Sequence, residues 1–478
     1  MRINSWLPCL CFGIASALAQ DPLSSSKLIY TYPRAISGLG LYGVRNQLEI
    51  FDASGNISQT AIQTLGNPNN FTNVRPAGFE RPFNLGIAVQ LSTLPIASPA
   101  SGVIFQTDSA TGALLPSADS LGPILTERAE TIGKNRVFVG FTRQQYRFSR
   151  MEGQPLGAIT NLYTGGDPTN ISQFGRSQTT APVTFGTQVD LRLDQNVMTF
   201  TYGVTNRFDF SGAVTWVRSQ MNVIGFNARM VNTGNPGNGG TCWCAATLDV
   251  AASQADPGGL GLAGLQRQGP FGAAYSESTG IGDTLLRFKG TVLDRPNYTL
   301  AVGSDLRLPS GDARNYHGSG AVAFKPFAAL SLHSHQLGPV RVSPQLNVGY
   351  QVSGDSILAG DALTGIKGRL PDQFLWSAGS AVSVSRRITF VVDILGNTVI
   401  NTERLVRTTV AGRGATAGDA TGLTLSPDKQ TFQMTNGSFG VKVKTFGNLV
   451  LTANVLVGFD DNGLRDKYVP LFGLGYSF

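Results

Sequence analysis

The chain has 478 residues, 41% of them hydrophobic, with a formal net charge of +7. Only 14% are charged, against roughly 25% in an ordinary soluble domain, and there are 58 glycines. Such a composition argues against helical bundles and suits a large all-β protein with many turns.

The first residues read MRINSWLPCLCFGIASALAQ. Arg2 supplies a positive start, Trp6 to Ala15 an apolar stretch, and Ala17-Leu18-Ala19 a small-x-small cleavage site before Gln20. This predicts a secretory signal peptide over 1–19. A spanning anchor would need about 20 apolar residues, and Pro8 spoils a lipoprotein reading of Cys9. No later segment is apolar for 18 residues, so the mature chain is either a secreted soluble protein or a membrane β-barrel.

Residues 20–133 do not read as a helical domain. Leu48-Glu49-Ile50-Phe51, Asn84 to Leu91 and Val103 to Gln106 are short strand candidates, and Asp108 to Gly112 resembles a hairpin turn. Pro82, Pro95 and Pro99 interrupt the segment. Two readings stay open: a plug inside a barrel, or a periplasmic or external appendage. The plug is the expectation.

From about 134 onward, period-two alternation dominates. Val340, Val342, Leu346, Val348, Tyr350 and Val352 alternate with Arg341, Ser343, Gln345, Asn347 and Gln351. The last strand alternates Phe472, Leu474, Tyr476 and Phe478 with Gly473, Gly475 and Ser477, an aromatic pattern expected to serve as a C-terminal barrel-assembly signal. Dyads of about ten residues match tilted spanning strands. Short connections near 206, 292–296, 332–339, 386–387 and 446–448 alternate with long ones near 231–280, 353–372 and 398–430, as periplasmic turns alternate with external loops. Residues 231–280 hold 11 glycines in 50 positions. Twelve strands are predicted: 135–150, 183–205, 207–230, 281–291, 297–309, 319–331, 340–352, 373–385, 388–397, 431–445, 449–459 and 467–478. The apolar phase of 183–205 slips from odd (Val189, Leu191, Leu193) to even (Met198, Phe200, Tyr202), which predicts a β-bulge at Asp194-Gln195.

The runs RAETIGKNRVFVGFTRQQYRF (128–148), TYGVTNRFDFSGAV (201–214), GIGDTLLRFKG (280–290), LAVGSDLRLPSGD (300–312) and NYHGSGAVAF (315–324) occur in that order. Together they resemble a family of bacterial outer-membrane proteins assigned to the meta-pathway of phenol degradation, itself similar to the fatty-acid and toluene channels. The resemblance covers about 128 to 478, and the G-x-G-D and L-P-S-G-D stretches are its most specific part. It implies a barrel and passage of hydrophobic or aromatic compounds. The chain departs from it by its long loops and about 110 residues before the barrel.

Candidate sites are sparse. If the apolar face meets lipid, Arg287, Lys289, Asp305, Arg307, Arg341, Asp393, Lys442 and Lys444 line the lumen. They either draw in anions such as carboxylates and phenolates or pair with acids across the barrel and fill it. Cys242-Trp243-Cys244 leaves a disulfide, free thiols and a metal site open, the disulfide being the default in an exported protein. His317, His333 and His335 read as solvated loop residues, and Asp460-Asp461-Asn462-Gly463 as a turn lacking the rest of a calcium loop. No nucleotide motif, catalytic constellation, metal or cofactor is expected. The chain therefore reads as an all-β transmembrane antiparallel barrel (134–478) of the bacterial outer membrane, preceded by a plug-like segment (20–133). Its expected partners are membrane lipid, the barrel-assembly machinery and a small-molecule solute taken up passively. The alternatives are a plugged structural or adhesive barrel without transport and, more remotely, a lipid enzyme.

Overall fold

A computed structural model describes residues 25–37, 80–93, 105–107, 114–116, 121–164, 182–230, 266–411 and 421–478. The signal peptide expected over 1–19, the strand candidate at 48–51, the turn candidate at 108–112 and Cys242 and Cys244 lie outside these residues.

Twelve antiparallel strands close into a barrel. They are β1 (Val137–Met151), β2 (Pro182–Thr205), β3 (Phe208–Met230), β4 (Gln266–Ile281, continued by Thr284–Asp294), β5 (Tyr298–Leu308), β6 (Ala323–Leu332), β7 (Val340–Ser353), β8 (Gln373–Ser383), β9 (Ile388–Ala411), β10 (Thr421–Lys444), β11 (Leu449–Gly458) and β12 (Tyr468–Ser477). Each pairs with the next, and β12 closes on β1 from Ser477↔Phe138 to Leu471↔Gln144. Closure leaves no open sheet edge, the condition for crossing hydrocarbon with strands.

The two faces divide as the alternation requires. Phe200, Phe390, Phe439, Leu451, Leu474, Tyr476 and Phe478 face outward and are exposed, while Thr199, Thr201, Thr389 and Ser438 between them are buried within. A closed barrel that is apolar outside and polar inside belongs in the bacterial outer membrane.

That chemistry inverts above the membrane. On β3, outward Phe208, Val214 and Trp216 give way to Arg218 and Asn222, while inward Asp209, Ser211 and Thr215 give way to Val217, Met221 and Val223. On β2, outward Met198, Phe200 and Tyr202 give way to Asp194, Arg192 and Asp190, while inward Thr199 and Thr201 give way to Leu193, Leu191 and Val189. The pairing runs unbroken through Asp194↔Arg218 and Gln195↔Val217, so the bulge expected at 194–195 is absent. The backbone keeps its phase, and the solvent changes from lipid to water. For the same reason the long loops are shorter than the alternation predicts: strands occupy 266–281, 400–411 and 421–430, where the membrane pattern no longer holds.

Inside this upper part lies a core of the kind soluble proteins have. Leu191, Leu193, Met221, Tyr146 and Phe148 from the wall pack with Leu28, Ile29 and Tyr32 from the chain start and with Phe83, Leu85, Ile87 and Leu91. Helix α1 (Thr31–Ser37), helix α2 (Glu80–Thr93) and Ile357, Leu358, Ala359, Ala362 and Leu370 from the 353–372 connection share the filling. The strand expected over Asn84 to Leu91 is thus part of a helix. Its residues are buried nearly all round, which erases any face pattern. Pro82 falls in the first turn, where its missing N–H costs nothing. Of the strand candidate Val103 to Gln106, Phe105 and Gln106 fall in a short strand, Phe105–Thr107, paired with Leu114–Pro116, and 103–104 lie outside the described residues.

Candidate functional site

All eight charged residues expected to line the lumen lie on inward positions of their strands, and the structure shows how they are used. Arg287 on β4 donates to both carboxylate oxygens of Asp305 on β5, at 2.6 and 2.8 Å. It also reaches Glu127, Nη1 to Oε2, at 2.6 Å. Lys289 holds the other oxygen of Glu127 at 2.8 Å and the carbonyls of Arg128 and Glu130 at 2.9 Å each. Lys325, inward on β6, pairs with Asp305 at 2.8 Å. Lys442 donates to the carbonyls of Leu121 (3.1 Å) and Pro123, and Asp393 accepts from the Leu125 amide at 3.2 Å. Arg341 is exposed and Lys444 half-buried at the short-turn rim. Arg307 is buried, 8% exposed.

Most of these partners belong to one stretch that the strand pattern places before the barrel. Residues 121–133 follow the inner wall from β10 round to β2. The Glu127 amide donates to Asn347 Oδ1 at 2.6 Å, and Asn347 Nδ2 returns a bond to the Glu127 carbonyl at 2.8 Å. The Ala129 amide donates to Ser331 (2.9 Å) and the Ile132 amide to Asp209 (3.0 Å). Polar lumen side chains take the place of a neighbouring strand for this backbone, which would otherwise be buried without partners. At Gly203 on β2 a Cβ would sit 1.8 Å from the Gly133 carbonyl oxygen, so only glycine lets the segment lie this close against the wall there.

Above this stretch sits α2. Arg81 pairs with Glu403 at 3.3 Å, Gln90 donates to the Leu464 carbonyl at 2.6 Å, and Gln373 donates to Ser92 at 2.9 Å. Between the two lies a chamber with Gln90, Ser92 and Thr93 on one side and Leu125 and Glu127 on the other. Its wall combines Phe148, Leu285, Leu395 and Leu456 with Arg307, Lys325, Asn347 and Gln351. About 200 Å³ is open to the centre of a water molecule, room for roughly a dozen waters.

The most specific motifs build scaffold around this chamber. Asp283 of G-x-G-D accepts from the Ser319 amide and hydroxyl, both at 2.8 Å, and from the Gly311 amide at 3.3 Å. Asp312 of L-P-S-G-D holds Lys27 at 2.7 Å and Asn315 at 2.9 Å. Together they fasten the 309–322 loop to the wall and to the chain start. His317 in that loop is buried rather than solvated, against the Gly280 backbone, and burial lowers its pKa. His333 bridges Pro296 and Thr299 at a short turn. Asp461 is taken by Arg150 at 2.8 and 2.9 Å and Asp460 by Arg465 and the Thr435 amide, so the 460–463 turn uses its carboxylates on protein partners.

No protein-family profile matches the chain, and no curated protein matches it. Among solved structures, it is similar to an outer-membrane channel of Pseudomonas putida F1, with 11% identity, 73% of this chain and 98% of that one covered, and a TM-score of 0.43. It is also similar to the toluene transporter TbuX of Ralstonia pickettii, with 11% identity, 81% and 100% covered, and a TM-score of 0.30. The translocator domain of the autotransporter NalP from Neisseria meningitidis gives 10% identity, 72% and 89% covered, and a TM-score of 0.28. These are likenesses between barrels, and they leave the cargo open.

Proposed function

We propose that the protein is a passive outer-membrane channel for small hydrophobic or aromatic solutes. One observation carries this reading: the barrel holds a chamber with mixed apolar and polar walls, between α2 toward the long loops and the 121–133 stretch toward the short turns. A barrel that served only as a surface anchor would gain nothing from such a space. In this reading residues 20–133, after removal of a signal peptide over 1–19, act as a plug, and among their described parts the chain start and α2 are outer pieces and 121–133 the inner piece. Solute enters from the loop side, occupies the chamber, and leaves when the inner piece shifts. The aromatic part of the reading rests on the apolar wall that Phe148, Leu285, Leu395 and Leu456 give the chamber. The outward row Phe472, Leu474, Tyr476 and Phe478 is the proposed recognition strip for the barrel-assembly machinery.

The test is flux into proteoliposomes at neutral pH, comparing benzoate with arabinose and with protein-free vesicles. Protein-dependent benzoate entry faster than arabinose entry supports the channel. Absence of both, with a folded barrel, favours the structural or adhesive alternative.

A further inference from the structure

Arg307 differs from every other buried cation at the chamber. Arg287 and Lys325 end on carboxylates of Glu127 and Asp305, and Arg465 on Asp460. Among the described residues Arg307 has no hydrogen-bond partner and no ion pair within 4 Å, although it is 92% removed from solvent and lines the chamber. The two acids nearest in charge are already engaged. Asp283 is held by Ser319 and Gly311, and Asp305 by Arg287 and Lys325. A guanidinium carries five donors in a planar fork suited to a carboxylate, and here those donors are left to whatever fills the chamber.

The surroundings specify what would use them. Phe148, Leu285 and Leu395 give the chamber apolar wall, while the Phe327 ring is already covered by Arg287, 5.2 Å from its centroid. The space suits a compact body rather than a long chain. We propose that Arg307 is the recognition residue for a small aromatic or compact apolar monocarboxylate, the carboxylate taken by the guanidinium fork and the ring lying on the apolar wall. This rests on the chamber being the solute passage and names the class of solute held there.

The test is calorimetric titration of the full-length folded barrel in detergent with benzoate, benzyl alcohol and inorganic phosphate, using wild type, R307M, R307K and the wall control R192M. R307M is expected to weaken benzoate binding on the order of ten- to a hundredfold, the range for a charge-assisted bidentate bond, and to leave benzyl alcohol unchanged. R307K, which keeps charge but loses the fork, falls between, and R192M matches wild type. Heat-dependent gel mobility certifies each variant as folded, and R307K stands in if R307M does not fold. Wild-type affinity in R307M, no benzoate binding to wild type, or phosphate binding as tightly as benzoate each overturns the assignment. Binding that depends on Arg307 without benzoate flux would leave the site standing and remove the passage reading instead.

Discussion

Glu127 is the residue on which the inner piece turns, and its removal can be worked through. Its two carboxylate oxygens lie 2.6 Å from Arg287 Nη1 and 2.8 Å from Lys289 Nζ. With an effective dielectric near 20, each contact is on the order of 6 kcal/mol of Coulomb attraction before desolvation is subtracted. Desolvation offsets most of that, and breaking a buried pair costs roughly 3–5 kcal/mol net. Glu127→Gln belongs at the lower end. Arg287 keeps Asp305, and Lys289 keeps two carbonyls at 2.9 Å. About 3 kcal/mol corresponds to roughly a hundredfold rise in the displaced population of 121–133. The assay is maleimide labelling of an A129C parent, substituted at a fully buried position, with Cys242 and Cys244 changed to serine. The labelling rate should rise on the order of a hundredfold when E127Q is added. A rate within threefold of the parent, in a barrel that remains folded, would refute the ion pair as the latch.

Other expectations follow from the same geometry. Gly203→Ala should detach 121–133 from the wall as E127Q does, because the new Cβ meets the Gly133 carbonyl oxygen at 1.8 Å; the same maleimide labelling at position 129 reads it. Phe200→Lys should cost roughly 2–4 kcal/mol of barrel stability in lipid, whereas Arg192→Leu, on the same face of the same strand but above the membrane, should change it by less than about 1 kcal/mol; urea unfolding in vesicles separates them. Seating of α2 should weaken as pH rises. Burial, with a smaller contribution from Asp361, pushes the Glu80 carboxyl up to about 8, and the phenols of Tyr32 and Tyr316 also feel its charge. An acid whose folded pKa lies above its unfolded value near 4.5 contributes fully below that value and loses its contribution as pH climbs through about 8. Proteolysis within 80–93 should therefore accelerate between about pH 4.5 and about 8 and level off above that, and Glu80→Gln should flatten the profile.

Strand number and closure are legible because lipid outside and water inside impose a strict period on residues such as Phe390 and Thr389. Legibility fails where the solvent changes. The phase slip of β2 looks like backbone geometry in the sequence, although Asp190, Arg192 and Asp194 simply face water. Helix α2 is hidden because burial on all sides leaves no polar face to set a period. Glu127 escapes the strand pattern because it lies before the first strand. Its signal is the excess of cations among the eight inward charges, six against two acids, which calls for a carboxylate from elsewhere. Arg307 is among the lumen residues the alternation predicts, but its lack of a hydrogen-bond partner among the described residues emerges only when its neighbours are seen to be committed to others.

The most direct measurement is benzoate flux through the A129C/S331C variant, again with Cys242 and Cys244 replaced by serine, in proteoliposomes before and after reduction. The Ala129 amide and Ser331 Oγ lie 2.9 Å apart, so a disulfide there would pin the inner piece to the wall. The channel account predicts flux near the protein-free background when oxidised and recovery to the parent rate on reduction. Equal flux in both states would show that solute does not pass by way of this segment.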